Sequence, residues 1–244
     1  MKILFERSIA TYRTHFRLFW KMALIGELPA YVGTVIFLSA MGRPYALGME
    51  PISTFSGAGW KVIGGALALI GLMLSAMFLV AVVYAVEDLD EGKTLTVMAA
   101  YRSVPMGMAV AVLLAFILVM LVISIGMMAF IVPGILLAVW FYLSPYAIVI
   151  DEAEGWDAFR RSKQLVRGHG GKVLGIIGAS FGIELAGSLL IAGLRPLFGS
   201  LGSGVLLTGW DLVIAPFQIL LMIFLYDELR NAESGKRKAV SSEQ

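Results

Sequence analysis

Between Arg102 and Asp151 the chain runs for 48 residues without a formal charge, and between Lys61 and Glu87 it runs for 25. No soluble fold of ordinary size hides so much uninterrupted apolar sequence. A helix of about 18 or more such residues is long enough to cross a hydrocarbon core roughly 30 Å thick. Two further stretches behave alike: Lys172 to Arg195 holds only Glu184, and Arg195 to Asp227 only Asp211. Hydrophobic residues make up 59% of the 244 and charged residues 15%, against about 45–50% and about 25% in soluble domains. The chain is therefore expected to be an all-α integral membrane protein. Soluble enzymes and nucleic-acid partners are set aside.

The 48-residue run cannot be one helix, because at 1.5 Å per residue it would reach about 72 Å. Pro133-Gly134 is the expected break, since proline lacks an N–H and glycine tolerates turn dihedrals. Six spans follow, near residues 16–41, 61–86, 105–128, 130–150, 173–194 and 205–226, in one membrane domain over 1–230. With this count, 16 of the 19 basic residues fall on one side. Only Arg43, Lys61 and Arg195 fall on the other. Lysine and arginine collect on the cytoplasmic side of membrane proteins, so both termini are expected there and the chain in the cell inner (plasma) membrane. Met1–Ile3 lead directly into Glu6, Arg7 and Arg13, unlike a cleavable signal. Gly42–Gly59 is the one sizeable external loop, and residues 231–244 are expected to be a disordered cytoplasmic tail. No internal repeat is evident.

Three segments on the basic side alternate apolar and basic residues at helical spacing: residues 3–15, Thr94–Ser103 and Glu154–Arg167. In the last, Trp156, Phe159, Leu165 and Val166 fall near one face, while Arg160, Arg161, Lys163 and Arg167 point elsewhere. Such a helix suits the headgroup layer of a membrane, where each basic group near anionic lipid contributes about 1 kcal/mol. Trp156, Arg160, Arg161, Lys163 and Arg167 are thus the lipid-headgroup candidates, with membrane phospholipid the expected partner. The plainer alternative is that they only fix topology.

This segment also belongs to a longer pattern. Residues 131–176, IVPGILLAVWFYLSPYAIVIDEAEGWDAFRRSKQLVRGHGGKVLGI, pass from a Pro-Gly turn into a span with an internal proline. An acidic exit, an Ala-Phe-Arg-Arg-Ser helix and a glycine turn follow. With YRTHF at 12–16 and LYDELR at 225–230, the chain resembles the membrane domain of glycerophosphoryl diester phosphodiesterases and related six-span bacterial proteins. The resemblance is loose over the whole chain and close over about a quarter of it, and its motifs are topological. It implies an inner-membrane module, fused in some relatives to a cytoplasmic catalytic barrel. Residues 231–244 are too few for that barrel, so the hydrolase activity is not carried over.

Ionisable groups within a span cost at least about 2.5–3.5 kcal/mol near the bilayer centre and point to function by default. Glu27, Glu184 and Asp211 are the three candidates. Glu27, beside Pro29, and Glu184 lie at comparable depth. If they face each other in a shared cavity, one is expected to hold a proton. Structural alternatives are pairing of Glu27 with Lys21 or Arg17, of Glu184 with Ser180 or Ser188, and of Asp211 with Arg195. In the fifth span, Gly171, Gly175 and Ala179 form one row of small residues and Gly178, Gly182 and Ala186 another. Rows of this kind let helices approach closely in lipid and place that span at the centre of the bundle, while Gly64 and Gly71 give the second span a weaker version.

Catalytic chemistry has little to work with. There is no cysteine, hence no disulfide, thiolate metal site or thiol nucleophile. The two histidines, His15 and His169, belong to no metal-binding motif. No cofactor and no enzymatic activity are expected. The first functional expectation is a non-catalytic module that packs or organises lipid or a partner protein, membrane-embedded or cytoplasmic. The second is a transporter or permease for a small or amphiphilic solute, using the intramembrane carboxylates.

Overall fold

The structure, a computed structural model, describes residues 2–43 and 51–241, without the side chains of 200, 201 and 236–241. Residues 44–50 of the external loop and 242–244 of the tail lie outside the described residues. Helix makes up 87% of the described residues, and no strand occurs among them. Among the described residues six segments are long and apolar enough to cross a membrane: Phe16–Ala40, Ala58–Asp90, Met106–Ala129, Ile131–Ile150, Gly170–Gly193 and Gly202–Gly235.

A short helix, α1 (Lys2–Thr14), precedes the first span. That span is two helices, α2 (Phe16–Gly26) and α3 (Leu28–Ala40), which meet at Glu27. Pro29 sits in the first turn of α3 and offers no N–H to the Ile25 carbonyl, which is why the span is interrupted there. The second span is the unbroken α4 (Ala58–Asp90). A one-turn helix, α5 (Val97–Arg102), capped by the Thr96 hydroxyl, leads to α6 (Met106–Ala129). The fourth span is again divided, into α7 (Ile131–Phe141) and α8 (Ser144–Ile150), with Pro145 in the first turn of α8. After α9 (Gly155–Val166) come α10 (Gly170–Gly193) and α11 (Arg195–Ser241), the latter kinked at Gly199 and carrying Pro216 within the sixth span.

Two expectations change. The turn between the third and fourth spans is at Phe130, with extended dihedrals, and Pro133 lies inside the first turn of α7, where a missing N–H costs little. α11 continues past residue 231 to Ser241. The fifth span is not the centre of the bundle. A Cβ on Gly171, Gly178 or Gly182 would meet nothing within 4 Å, so these three glycines do not mediate close approach.

The close approach is between α3 and α4. A Cβ on Gly33 would lie 2.3 Å from the Ala68 nitrogen, one on Gly64 2.5 Å from the Phe37 nitrogen, and one on Gly71 2.2 Å from the Ala30 Cα. The two helices therefore touch backbone to backbone in antiparallel register, where dispersion and packing hold helices together in lipid. At the end of the bundle that carries both termini the core is nearly solid. Phe78–Val83 of α4, Ser144–Val149 of α8 and Leu220–Tyr226 of α11 are all buried. Above that layer the bundle opens.

Candidate functional site

A cavity of about 750 Å³ lies in the middle of the bundle, lined by residues of α3, α4, α6, the α7–α8 break and α11. Its position follows from the prolines. Glu27 and Tyr31 line it beside Pro29, Tyr142 and Tyr146 beside Pro145, and Ala215 and Gln218 beside Pro216. Broken backbone is tolerated at membrane depth where it faces protein or a cavity instead of lipid. All three proline-interrupted spans meet here.

Glu27 occupies the junction of α2 and α3 and is largely buried. Ser75 Oγ on α4 lies 2.9 Å from Glu27 Oε2 and 3.3 Å from the Gly26 carbonyl oxygen. This geometry serves both protonation states. An ionised Glu27 accepts from the Ser75 hydroxyl. A protonated Glu27 donates to Ser75 Oγ, which turns its own hydrogen to the Gly26 carbonyl. Ser75 thus offers Glu27 Oε2 a hydrogen-bond partner in either state.

Glu184 and Asp211 continue the polar region away from the cavity wall. Gln218 Nε2, itself in the lining, donates to Glu184 Oε2 at 3.1 Å. Asp211 lies within electrostatic reach of Glu184. Trp210 lies against Gly187 in the same region, where an added Cβ would come 2.1 Å from the indole. Tyr31 is within electrostatic reach of Glu27, Glu184 and Asp211 together, and it also lines a second, apolar cavity of about 420 Å³ toward the opposite end of the bundle. The three carboxylates found in the sequence thus fall in one connected region. Sequence reasoning missed the residues that connect them, Tyr31, Ser75 and Gln218. The available signal was a polar side chain two residues from a mid-span proline, as at Gln218 and Tyr31.

The headgroup candidates on α9 have different surroundings from one another. Ala158, Phe159, Ser162, Leu165 and Val166 form its buried face. Ser162 Oγ donates to the Trp140 carbonyl at 2.7 Å, and Lys163 Nζ sits 4.3 Å above the Trp140 ring. The helix is thereby fastened onto the bundle. Trp156 remains 60% exposed, stacked on Phe159 with ring centroids 5.4 Å apart. Arg160 is exposed and loosely paired with Asp157 at 3.5 Å, and Arg167 is exposed.

Arg161 turns inward. Its Nε lies 2.5 Å from Asp151 Oδ2 and its Nη1 2.5 Å from Glu233 Oε2. Tyr226 Oη donates to the same Asp151 Oδ2 at 2.8 Å, and Arg230 Nε lies 3.2 Å from Oδ1. Burial opposes the charge on Arg161, but the hydrogen bonds to Asp151 and Glu233 outweigh it and hold the guanidinium more firmly protonated than usual. The acidic exit of the fourth span, the Arg-Arg helix and the end of the sixth span therefore converge on one ionic cluster. Beside it lies an open cavity of about 770 Å³, whose lining includes Arg160, Arg161 and Arg230 but also Asp151, Glu152 and Asp157. The acids match the arginines in number, so this cavity offers an anion little net attraction.

Among the described residues no group of three or more histidine or carboxylate side chains is placed to hold a metal ion. No protein-family model, curated protein or solved structure matches the chain.

Proposed function

We propose that this polytopic membrane protein is a proton-linked carrier for a small or amphiphilic solute, with the mid-bundle cavity as its binding site. One observation carries the proposal: Glu27, at a break in the first span, faces a cavity of about 750 Å³ through a hydrogen-bond geometry that accommodates it with or without its proton. The size suits a small molecule, since ligand sites commonly enclose about 300–1,000 Å³. Interrupted helices around a midplane site are a recurrent feature of carriers, because loosened backbone there supplies ligands and lets the flanking segments move. The break at Pro145 and the interruption at Pro216 supply two further such points.

The test is solute-driven proton movement. Proteoliposomes enclosing a pH-sensitive dye are challenged in turn with cationic, neutral and anionic amphiphiles. At least one class is expected to change the internal pH through the wild-type protein and not through Glu27→Gln. Identical traces for wild type, Glu27→Gln and protein-free liposomes would overturn the reading.

A second reading, a lipid-packing module in the inner membrane like that implied by the resemblance to the glycerophosphoryl diester phosphodiesterase membrane domain, is favoured by the exposure of Trp156 and Arg160 on the outer face of α9. Phospholipid is its natural partner, and the two readings are compatible, since one uses the exposed face of α9 and the other the mid-bundle cavity, to which α9 contributes no residue.

A further inference from the structure

We infer that the solute taken into the mid-bundle cavity is a lipophilic cation, one positive charge on an aromatic or aliphatic body, which exchanges with the proton of Glu27. This rests on the carrier reading above and names its substrate class.

Charge is the first ground. The cavity lining holds one carboxyl group, Glu27, and no lysine, arginine or histidine. Glu184 and Asp211 add two more carboxyls within electrostatic reach of Tyr31 in its wall. An anionic solute entering here would find no counter-charge and would be repelled wherever any of the three is ionised. A neutral solute could bind, but it would give Glu27 no reason to release its proton into a poorly solvated space. A cation supplies the missing partner: a buried carboxylate is tolerated when paired and costly when alone.

The second ground is the nature of the walls. Tyr31, Phe116, Tyr142 and Tyr146 put four aromatic side chains around the same space, and the remainder of the lining is largely aliphatic. Aromatic faces attract cations, more strongly where water is excluded, and aliphatic surface accommodates the body of the solute. Ammonium or quaternary groups carrying apolar substituents satisfy both; small, strongly hydrated metal ions satisfy neither. The apolar cavity beyond Tyr31 then offers the apolar body a place to extend.

The exchange balances in charge and atoms. Protonated Glu27 with an empty cavity is neutral. On entry of the cation the carboxyl O–H bond breaks, the proton leaves to water, and the electron pair stays on Glu27 as the carboxylate that faces the cation. Ser75 turns its hydroxyl hydrogen from the Gly26 carbonyl to Glu27 Oε2, both within its reach. One cation in displaces one proton out, so the exchange leaves the net charge of the site unchanged.

The experiment uses the full chain in nanodiscs of zwitterionic lipid and three probes of similar aromatic body: ethidium as the cation, phenanthridine as the neutral molecule and anilinonaphthalene sulfonate as the anion. Fluorescence anisotropy is expected to show saturable binding of ethidium alone, weakening as pH falls. In weak buffer each ethidium bound should release about one proton from the wild-type protein. Glu27→Gln is expected to weaken ethidium binding at least about tenfold and to abolish the proton release, and Glu27→Asp to restore both in part. Because the proton count is taken on the wild-type protein, a variant that fails to fold does not blunt the test. Equal binding of all three probes, or ethidium binding without proton release, overturns the inference. If only neutral or anionic solutes drive Glu27-dependent flux in proteoliposomes, the cation assignment falls and the carrier reading stands; if no solute does, both fall.

Discussion

Arg160 and Arg161 are neighbours in sequence with the same formal charge, and the fold gives them opposite tasks. Arg161 keeps 21% of its side chain exposed and holds two carboxylates, Asp151 and Glu233, from different parts of the chain. Arg160 keeps 67% exposed and faces an equally exposed Asp157 one helical turn away. Removing one member of a largely buried charge cluster strands the others, at a cost of about 3 kcal/mol or more. Removing one member of an exposed pair changes stability by less than about 1 kcal/mol. Arg161→Ala is therefore expected to destabilise the protein by about 3 kcal/mol and Arg160→Ala hardly at all, measured by reversible unfolding in mixed micelles. Equal effects would show that the cluster does not fasten the end of α11 to α9. Any loss of anionic-lipid binding, by contrast, belongs with Arg160 and Trp156, whose side chains remain accessible.

At the scale of helices, glycine composition alone is a poor guide to which pair is closest. The fifth span has more small residues than the second, yet its glycines at 171, 178 and 182 face open space. Gly33, Gly64 and Gly71 sit where α3 and α4 touch through backbone. Adding a methyl group at Gly71, 2.2 Å from the Ala30 Cα, is expected to cost about 1–3 kcal/mol through overpacking, whereas Gly182→Ala should leave stability unchanged or slightly raised. Thermal unfolding in detergent separates them, and a Gly182→Ala variant as damaged as Gly71→Ala would restore the fifth span to the centre. What was legible in the sequence was set by solvation: charge-free length gave the spans, and buried carboxylates stood out against apolar runs. The α3–α4 contact was less so, because the facing glycines lie on two helices and only the antiparallel register brings Gly33 to Ala68 and Gly71 to Ala30. The cavity was legible only in part for the same reason. Pro29, Pro145 and Pro216 are visible one at a time, but that the two breaks and the Pro216 segment border one space is a property of the packed bundle.

For the whole molecule, the unequal distribution of basic residues predicts an orientation that can be tested directly. With six spans, 16 lysines and arginines gather at the end bearing the termini and three at the other. Several of the 16 are paired with acids, Arg7 with Asp90, Arg161 with Asp151 and Lys172 with Glu228. That does not dilute the signal, because topology follows the count of lysine and arginine near the span ends and acidic residues contribute little. The end bearing the termini should accordingly face the cytoplasm. The chain has no cysteine, so a single introduced thiol reports its own side. Ser53 in the short turn after the first span and Ser234 near the end of α11 are both exposed, and replacing each by cysteine changes one atom. A membrane-impermeant maleimide is expected to label Ser53→Cys in intact cells and Ser234→Cys only after the membrane is opened. The reverse pattern would invert the protein, and labelling of both in intact cells would mean a mixture of orientations. The result also sets the direction of the proposed exchange. With the termini inside, the apolar cavity beyond Tyr31 lies on the external side of Glu27 and the solid layer formed by α4, α8 and α11 on the cytoplasmic side. If the proposed solute enters from that external side, the movement that completes an exchange must open the packing at Phe78–Val83, Ser144–Val149 and Leu220–Tyr226, beneath the Arg161 cluster that ties α9 to α11.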